Sequence, residues 1–269
     1  MEWWQAFLLG IVQGLTEFLP VSSSGHLMIA RELFGVQPEG FLDFTVTVHF
    51  ATVLSTIVVF RKPIAALLRD LFRFRLNDGT DYIYKLILSM IPVMVVGLFF
   101  KDEVEGLFGD SLQTVAVCLL VTAALLSFSD FFGGRLPIRN QYRNGISWWQ
   151  ALLVGVGQAC AVAPGLSRSG TTIATGLLSG VKREHMAQFS FLMVLVPIIG
   201  EQLLDVLKGV SGQAPEAGVG ITALICGFVA AFVSGLLACR LMVALVKRSR
   251  LRWFAVYCAL VAVLIFVFA

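Results

Sequence analysis

The tetrapeptide Trp3-Trp4-Gln5-Ala6 returns as Trp148-Trp149-Gln150-Ala151, an offset of 145 residues. At the same offset Leu8 meets Leu153, Gly10 meets Gly155 and Gln13 meets Gln158. Further on, Ser22 meets Ser167, Ser24 meets Ser169 and Gly25 meets Gly170. Ten gapless identities within residues 3–25 mark two copies of one unit, about 1–130 and about 146–269. Whatever fold the first copy adopts, the second must adopt as well, and the two must pack into one domain spanning 1–269.

Composition decides the solvent. The chain is 58% apolar and 14% charged, with a mean hydropathy of +0.86. A soluble domain is closer to a quarter charged. The chain reads as an integral membrane protein, which excludes a soluble enzyme, a nucleic-acid binder and a disordered regulator. Cys118, Cys160, Cys226, Cys239 and Cys258 all fall in apolar stretches without a close pair, so they read as small hydrophobes, not as disulfides or metal ligands. The first apolar run lacks a basic leader and contains Gln13 and Glu17, which argues against a cleaved signal peptide.

A helix needs about 20 mainly apolar residues to cross a bilayer. Six stretches meet or nearly meet this, about 41–60, 84–100, 112–130, 186–207, 218–240 and 252–269. Trp3–Leu19 and Trp148–Ala163 do not: polar residues interrupt them and each stops at a proline, Pro20 or Pro164. Each is followed by a Ser/Gly cluster and a short second apolar run. This predicts two re-entrant helix-loop-helix segments, which survive only where protein or a watery cavity surrounds the broken backbone. The predicted fold is an all-α polytopic membrane protein of six transmembrane helices plus two re-entrant segments.

Basic residues set the orientation. Arg61, Lys62, Arg69, Arg73, Arg75 and Lys85 lie in the 61–85 connection, and Arg135, Arg139 and Arg143 in the 130–147 connection. Lys182 and Arg183 follow the second re-entrant segment, and Arg240, Lys247, Arg248, Arg250 and Arg252 separate the last two spans. These sixteen face the cytoplasm; Arg31, Lys101 and Lys208 face outward. Each copy has one re-entrant segment and three spans, so the second copy inserts upside down. The two tips then meet near the midplane, the layout of many transporters.

Arg168, the twentieth cation, belongs to neither set of loops. It sits in the second tip, Pro164-Gly-Leu-Ser167-Arg168-Ser169-Gly170-Thr171-Thr172. The first tip runs from Gln13 through Glu17 and Pro20 to Val-Ser22-Ser23-Ser24-Gly25-His26. Gln13 and Glu17, four apart, share a helix face. The serine runs begin new helices, where free amide N–H groups and the helix dipole favour anions. An arginine adds forked binding of phosphate oxygens. The natural ligand is a phosphate or diphosphate whose remainder is lipid. Symmetry fails at three pairs: Glu17 faces Val162, Ser23 faces Arg168 and His26 faces Thr171. Ionisable groups at bilayer depth are functional candidates by default, whereas each remaining serine is equally explained by capping or packing.

Through these two tips the chain resembles the bacterial undecaprenyl-diphosphate phosphatase family of the bacitracin-resistance type. Lesser matches run from Phe44 to Ser55 and from Ile91-Pro92 to Phe108. The resemblance implies hydrolysis of undecaprenyl diphosphate to the monophosphate carrier lipid used in peptidoglycan synthesis. It also implies a bacterial inner-membrane location, a site open to the periplasmic side, and a divalent cation, Mg²⁺ or Ca²⁺. Gln13 stands where many members carry Glu, leaving Glu17 the only acid of the motif. On this basis Glu17 and Gln13 are expected to hold the metal, Ser23 to be or to position the nucleophile, His26 to move the proton, and Arg168 to stabilise phosphoryl charge. Ser22, Ser24, Gly25, Ser167, Ser169, Gly170, Thr172 and His49 are expected around the phosphates. The expected partners are the prenyl diphosphate and membrane lipids, without nucleic acid, and a homodimer is compatible with the scheme. The inverted repeat alone also fits a lipid flippase or secondary transporter.

Overall fold

Gln5 and Gln150 show why the repeated sequence starts where it does. Gln5 Oε1 accepts from the Glu2 amide at 2.8 Å, and its Nε2 donates to the Phe34 carbonyl at 2.9 Å. Gln150 Oε1 accepts from the Ser147 amide at 2.9 Å, and its Nε2 donates to the Ser179 carbonyl at 2.9 Å. Phe34 and Ser179 are themselves 145 apart. Each glutamine thus satisfies a spare donor where one helix begins and a spare carbonyl where the next ends, tying the arms of a helical hairpin together.

The computed structural model describes residues 1–37, 40–73, 75–100, 111–133, 144–163, 165–195, 197, 199, 219–248 and 251–268. Eleven α-helices have bounds that these residues define. The first hairpin is α1 (Trp3–Thr16) and α2 (Ser23–Leu33), followed by α3 (Phe41–Val59), α4 (Arg61–Leu71), α5 (Asp78–Phe99) and α6 (Leu112–Phe132). The second hairpin is α7 (Trp148–Cys160) and α8 (Arg168–Leu178), followed by α9 (Arg183–Met193), α10 (Ile221–Arg248) and α11 (Arg252–Phe268). Pro164, the 201–207 end of the fourth expected span, and Lys101, Arg135, Arg139, Arg143, Lys208 and Arg250 lie outside the described residues.

Among the described residues three helices are long and apolar enough to cross a bilayer: Asp78–Phe99, Leu112–Phe132 and Ile221–Val246. The protein is therefore a multi-pass, all-helical membrane protein over its described residues. The expected 41–60 span corresponds to α3, and the expected 252–269 span to the 17-residue α11.

The 61–85 connection differs from the expected basic loop. It contains α4, bent 75° from α3, with none of its residues buried. Arg61, Lys62 and Arg69 share α4 with Ile64 and Leu67, which are half-buried against the hydrophobic core, the pattern of an amphipathic helix. The next helix begins at Asp78, six residues before the expected apolar boundary. Asn77 caps it by accepting from the Thr80 amide at 2.8 Å, and Asp78 and Asp81 complement its dipole. Lys85 is consequently inside α5. Its side chain is 1% exposed, with Nζ 2.5 Å from Asp81 and 3.2 Å from Asn144 Oδ1.

The first arm of each hairpin packs on a long helix of the other half: α1 on α10, and α7 on α5. Small residues allow this, because membrane helices gain from close backbone approach. A Cβ on Gly10 would stand 2.4 Å from the Gly227 carbonyl oxygen, and one on Gly155 2.4 Å from the Ser89 carbonyl oxygen. Gly97, by contrast, faces open space. Gly10→Ala and Gly155→Ala should each lower the thermal midpoint of the detergent-solubilised protein by several degrees, a cost of about 1–3 kcal/mol for overpacking. Gly97→Ala should leave it unchanged or raise it, and equal behaviour of the three variants would contradict this packing.

Candidate active site

The sequence breaks α1 at Thr16 and starts α2 at Ser23, which leaves Glu17 just past the end of one helix and the serines at the start of the next. Ser22 caps α2 by accepting from the Gly25 amide at 3.3 Å. Ser167 caps α8 identically, accepting from the Gly170 amide at 3.1 Å. In both tips the capping hydroxyl lies 3.4 Å from that of the serine two residues on, Ser24 or Ser169. The tips are also sewn to each other. The Gly165 amide donates to Ser24 Oγ at 3.4 Å, and Ser169 Oγ donates to the Leu19 carbonyl at 3.1 Å.

Glu17 is the hub of the junction, its side chain 7% exposed. One carboxylate oxygen is bound by Arg168 Nη2. The other accepts from Ser23 Oγ at 2.6 Å and from Gln13 Nε2 at 2.9 Å, with His49 Nε2 3.5 Å away. His49 is oriented by α3, its Nδ1 donating to the Thr45 carbonyl at 2.9 Å. A carboxylate so placed is matched by one cation and two uncharged donors, and it fixes the Ser23 hydroxyl. The group opens on a cavity of about 380 Å³. Glu17, Ser22, Ser23, Ser24, His49, Ser167, Arg168 and Ser169 all line it, together with Gln158. Arg168 keeps 32% of its side chain exposed, so its guanidinium can meet an anion in the cavity while bound to Glu17.

Residues 6–264 match the family model described as bacitracin resistance protein BacA. The chain belongs to the BacA family. Its relatives include the undecaprenyl-diphosphatase of Bacteroides fragilis, 52% identical over 263 residues that cover 98% of this chain and 97% of the relative. That of Bacteroides thetaiotaomicron is 52% identical over 260 residues, covering 97% and 96%. That of Methanobrevibacter smithii is 37% identical over 276 residues, again covering 97% and 96%.

In this BacA-family chain not every expected site residue reaches the cavity. Gly25 and Gly170 act through their amides, as donors to the caps. Thr172 lies behind the tip, donating to the Arg168 carbonyl at 2.9 Å and lying 2.6 Å from Ser190 Oγ. Gln13 is wholly buried and reaches the site only through Glu17. His26 turns the other way. It lines a separate cavity of about 880 Å³ with Tyr257 of α11, Glu32 and Gln113. Tyr257 is a neighbour that the sequence did not reveal, because 231 residues separate it from His26 and it sits in an unbroken apolar run.

No group of three His, Cys, Asp or Glu side chains comes together among the described residues. Gln13 Oε1 is nevertheless a buried acceptor without a partner beside Glu17. One carboxylate and neutral oxygens suit a hard cation that takes its other ligands from a diphosphate.

Breaking a buried ion pair exposes the cost of the charge left behind. Arg168→Gln should destabilise the protein by about 2 kcal/mol, below the about 3–5 kcal/mol of a fully buried pair because Arg168 is partly solvated. Glu17→Gln with Arg168→Gln should recover part of that loss. Strict additivity of the two midpoint shifts would show that the pair is not coupled.

Proposed function

We propose that this protein hydrolyses undecaprenyl diphosphate to undecaprenyl phosphate and inorganic phosphate. It thereby recycles the carrier lipid of peptidoglycan synthesis, which is the basis of bacitracin resistance. The observation that carries the mechanism is the contact of Ser23 Oγ with Glu17 at 2.6 Å inside a cavity shared with Arg168. Arg168 and the serine-capped starts of α2 and α8 bind the terminal phosphate and stabilise the charge of phosphoryl transfer. As Arg168 turns to the phosphate, the Glu17 carboxylate is relieved of its cation and becomes a better base. Ser23 Oγ attacks the terminal phosphorus, its proton passes to Glu17, and the anhydride bond to the lipid phosphate breaks. Water then hydrolyses the phosphoserine, releasing inorganic phosphate and returning the proton to Ser23. His49, with Nε2 toward Glu17, is the imidazole nearest these proton transfers.

Glu17 and Gln13 would hold the divalent cation, Mg²⁺ or Ca²⁺, which would neutralise diphosphate charge when bound. Removing it with a chelator should abolish phosphate release, and adding Mg²⁺ or Ca²⁺ back should restore it.

The finer architecture we propose is six spans and two re-entrant hairpins in an inverted repeat. The offset of 145 carries Asp78–Phe99 onto 223–244, within Ile221–Arg248, so the α1–α10 and α7–α5 contacts are equivalent by symmetry. The location we propose is the bacterial inner membrane with the cavity open to the periplasm, as membership of the family implies; the basic residues support only which loops face the cytoplasm. A flippase accounts for the repeat but gives no role to the Ser23–Glu17 contact. In detergent, with no membrane to cross, wild-type protein should release phosphate from undecaprenyl diphosphate, and Arg168→Ala should cut kcat/KM by about 10²–10³-fold. Wild-type turnover in the variant would sink the assignment.

A further inference from the structure

The two tips share a motif but not a backbone. Ser22 has φ 70° and ψ 99°, the one positive φ at a non-glycine among the described residues. Its counterpart Ser167 has φ −71° and ψ 112°. Both hydroxyls cap in the same way, so capping does not require the left-handed backbone at Ser22. Serine resists that region because its Cβ crowds the carbonyl oxygen that follows. Such a conformation persists only where the surroundings over-determine it.

The tips differ four residues later, where His26 stands against Thr171. His26 Nδ1 lies 2.8 Å from the Ser22 carbonyl oxygen. A carbonyl only accepts, so Nδ1 carries the proton, and in the neutral ring Nε2 is left as an acceptor. The Tyr257 hydroxyl lies 2.8 Å from Nε2, and the two rings stack with centroids 5.6 Å apart and planes 11° from parallel. Both ring nitrogens are therefore engaged away from Glu17. Thr171 offers nothing comparable, since its buried hydroxyl has no partner. The strained serine is the one whose carbonyl is gripped by a side chain.

We propose that Tyr257 and His26 form a clamp on the Ser22 carbonyl, holding the turn that presents Ser23 to Glu17. Tyr257 is thus a positioning residue of the phosphatase reaction, and His26 acts through the backbone instead of carrying a proton. This rests on the phosphatase reading, which the wild-type assay in detergent tests first: no phosphate release there defeats that reading before any variant is compared.

The clamp is tested by amide replacements. Asparagine at 26 sets an N–H near the place of Nδ1, whereas glutamine sets one near the place of Nε2. His26→Asn should keep kcat within about tenfold of wild type, while His26→Gln should lose about a hundredfold or more, with KM changed less in both. Tyr257→Phe, which keeps the stacked ring, should lose about three- to tenfold in kcat and nothing further in the His26→Asn background. Equal loss in the two amide variants overturns the clamp, because a proton carrier needs an imidazole and neither amide supplies one. An identical Tyr257→Phe effect in both backgrounds also overturns it. Should the His26 variants fail to fold, an unchanged kcat in Tyr257→Phe alone would do so.

Discussion

The pairing of Glu17 with Arg168 is the constraint around which the molecule is arranged. Either group alone would be an uncompensated charge in an apolar interior, which costs several kcal/mol. Together, with Ser23, Gln13 and His49 completing the shell of the carboxylate, they are tolerated. The pair can form only if the tips of two hairpins, 151 residues apart in the chain at this contact, meet at one point. The small-residue seams of α1 on α10 and α7 on α5 make that meeting possible by letting backbones approach.

Residues that the two copies share do the same structural task twice. Gln5 and Gln150 close the hairpins, Ser22 and Ser167 cap the second arms, and Gly10 and Gly155 admit a neighbouring backbone. In the proposed mechanism the residues that differ carry the chemistry. Glu17 replaces the apolar side chain found at Val162, and Ser23 stands opposite Arg168. The two tips share a serine-capped turn, and in the proposed mechanism their differences make one side nucleophilic and the other cationic.

Much of this was legible in the chain. Apolar runs located α3, α5, α6, α10 and α11, and the proline after each first arm located the tips. The residues around Glu17 were legible because ionisable groups are scarce in such a composition. Other features were not. The α4 helix hides among cations, since an amphipathic surface helix and a basic loop have similar composition. Lys85 reads as a loop charge until Asp81 and Asn144 are seen to neutralise it inside α5. The direction of His26 is the most consequential case. A residue three positions along a helix lies about 60° around the axis from the first, and sequence spacing does not say which cavity lies on which side.

The sequence by itself determined the solvent, the helical class, the duplication and the inventory of reactive groups, because each follows from composition, period or local spacing. Only the tertiary structure decided which of those groups meet. Ser23, Glu17, His49 and Arg168 converge because separate helices deliver them to one cavity. His26 leaves that cavity because a tyrosine from the last helix binds its far nitrogen. Contacts across 151 and 231 residues depend on packing geometry, and no local pattern in the chain encodes them.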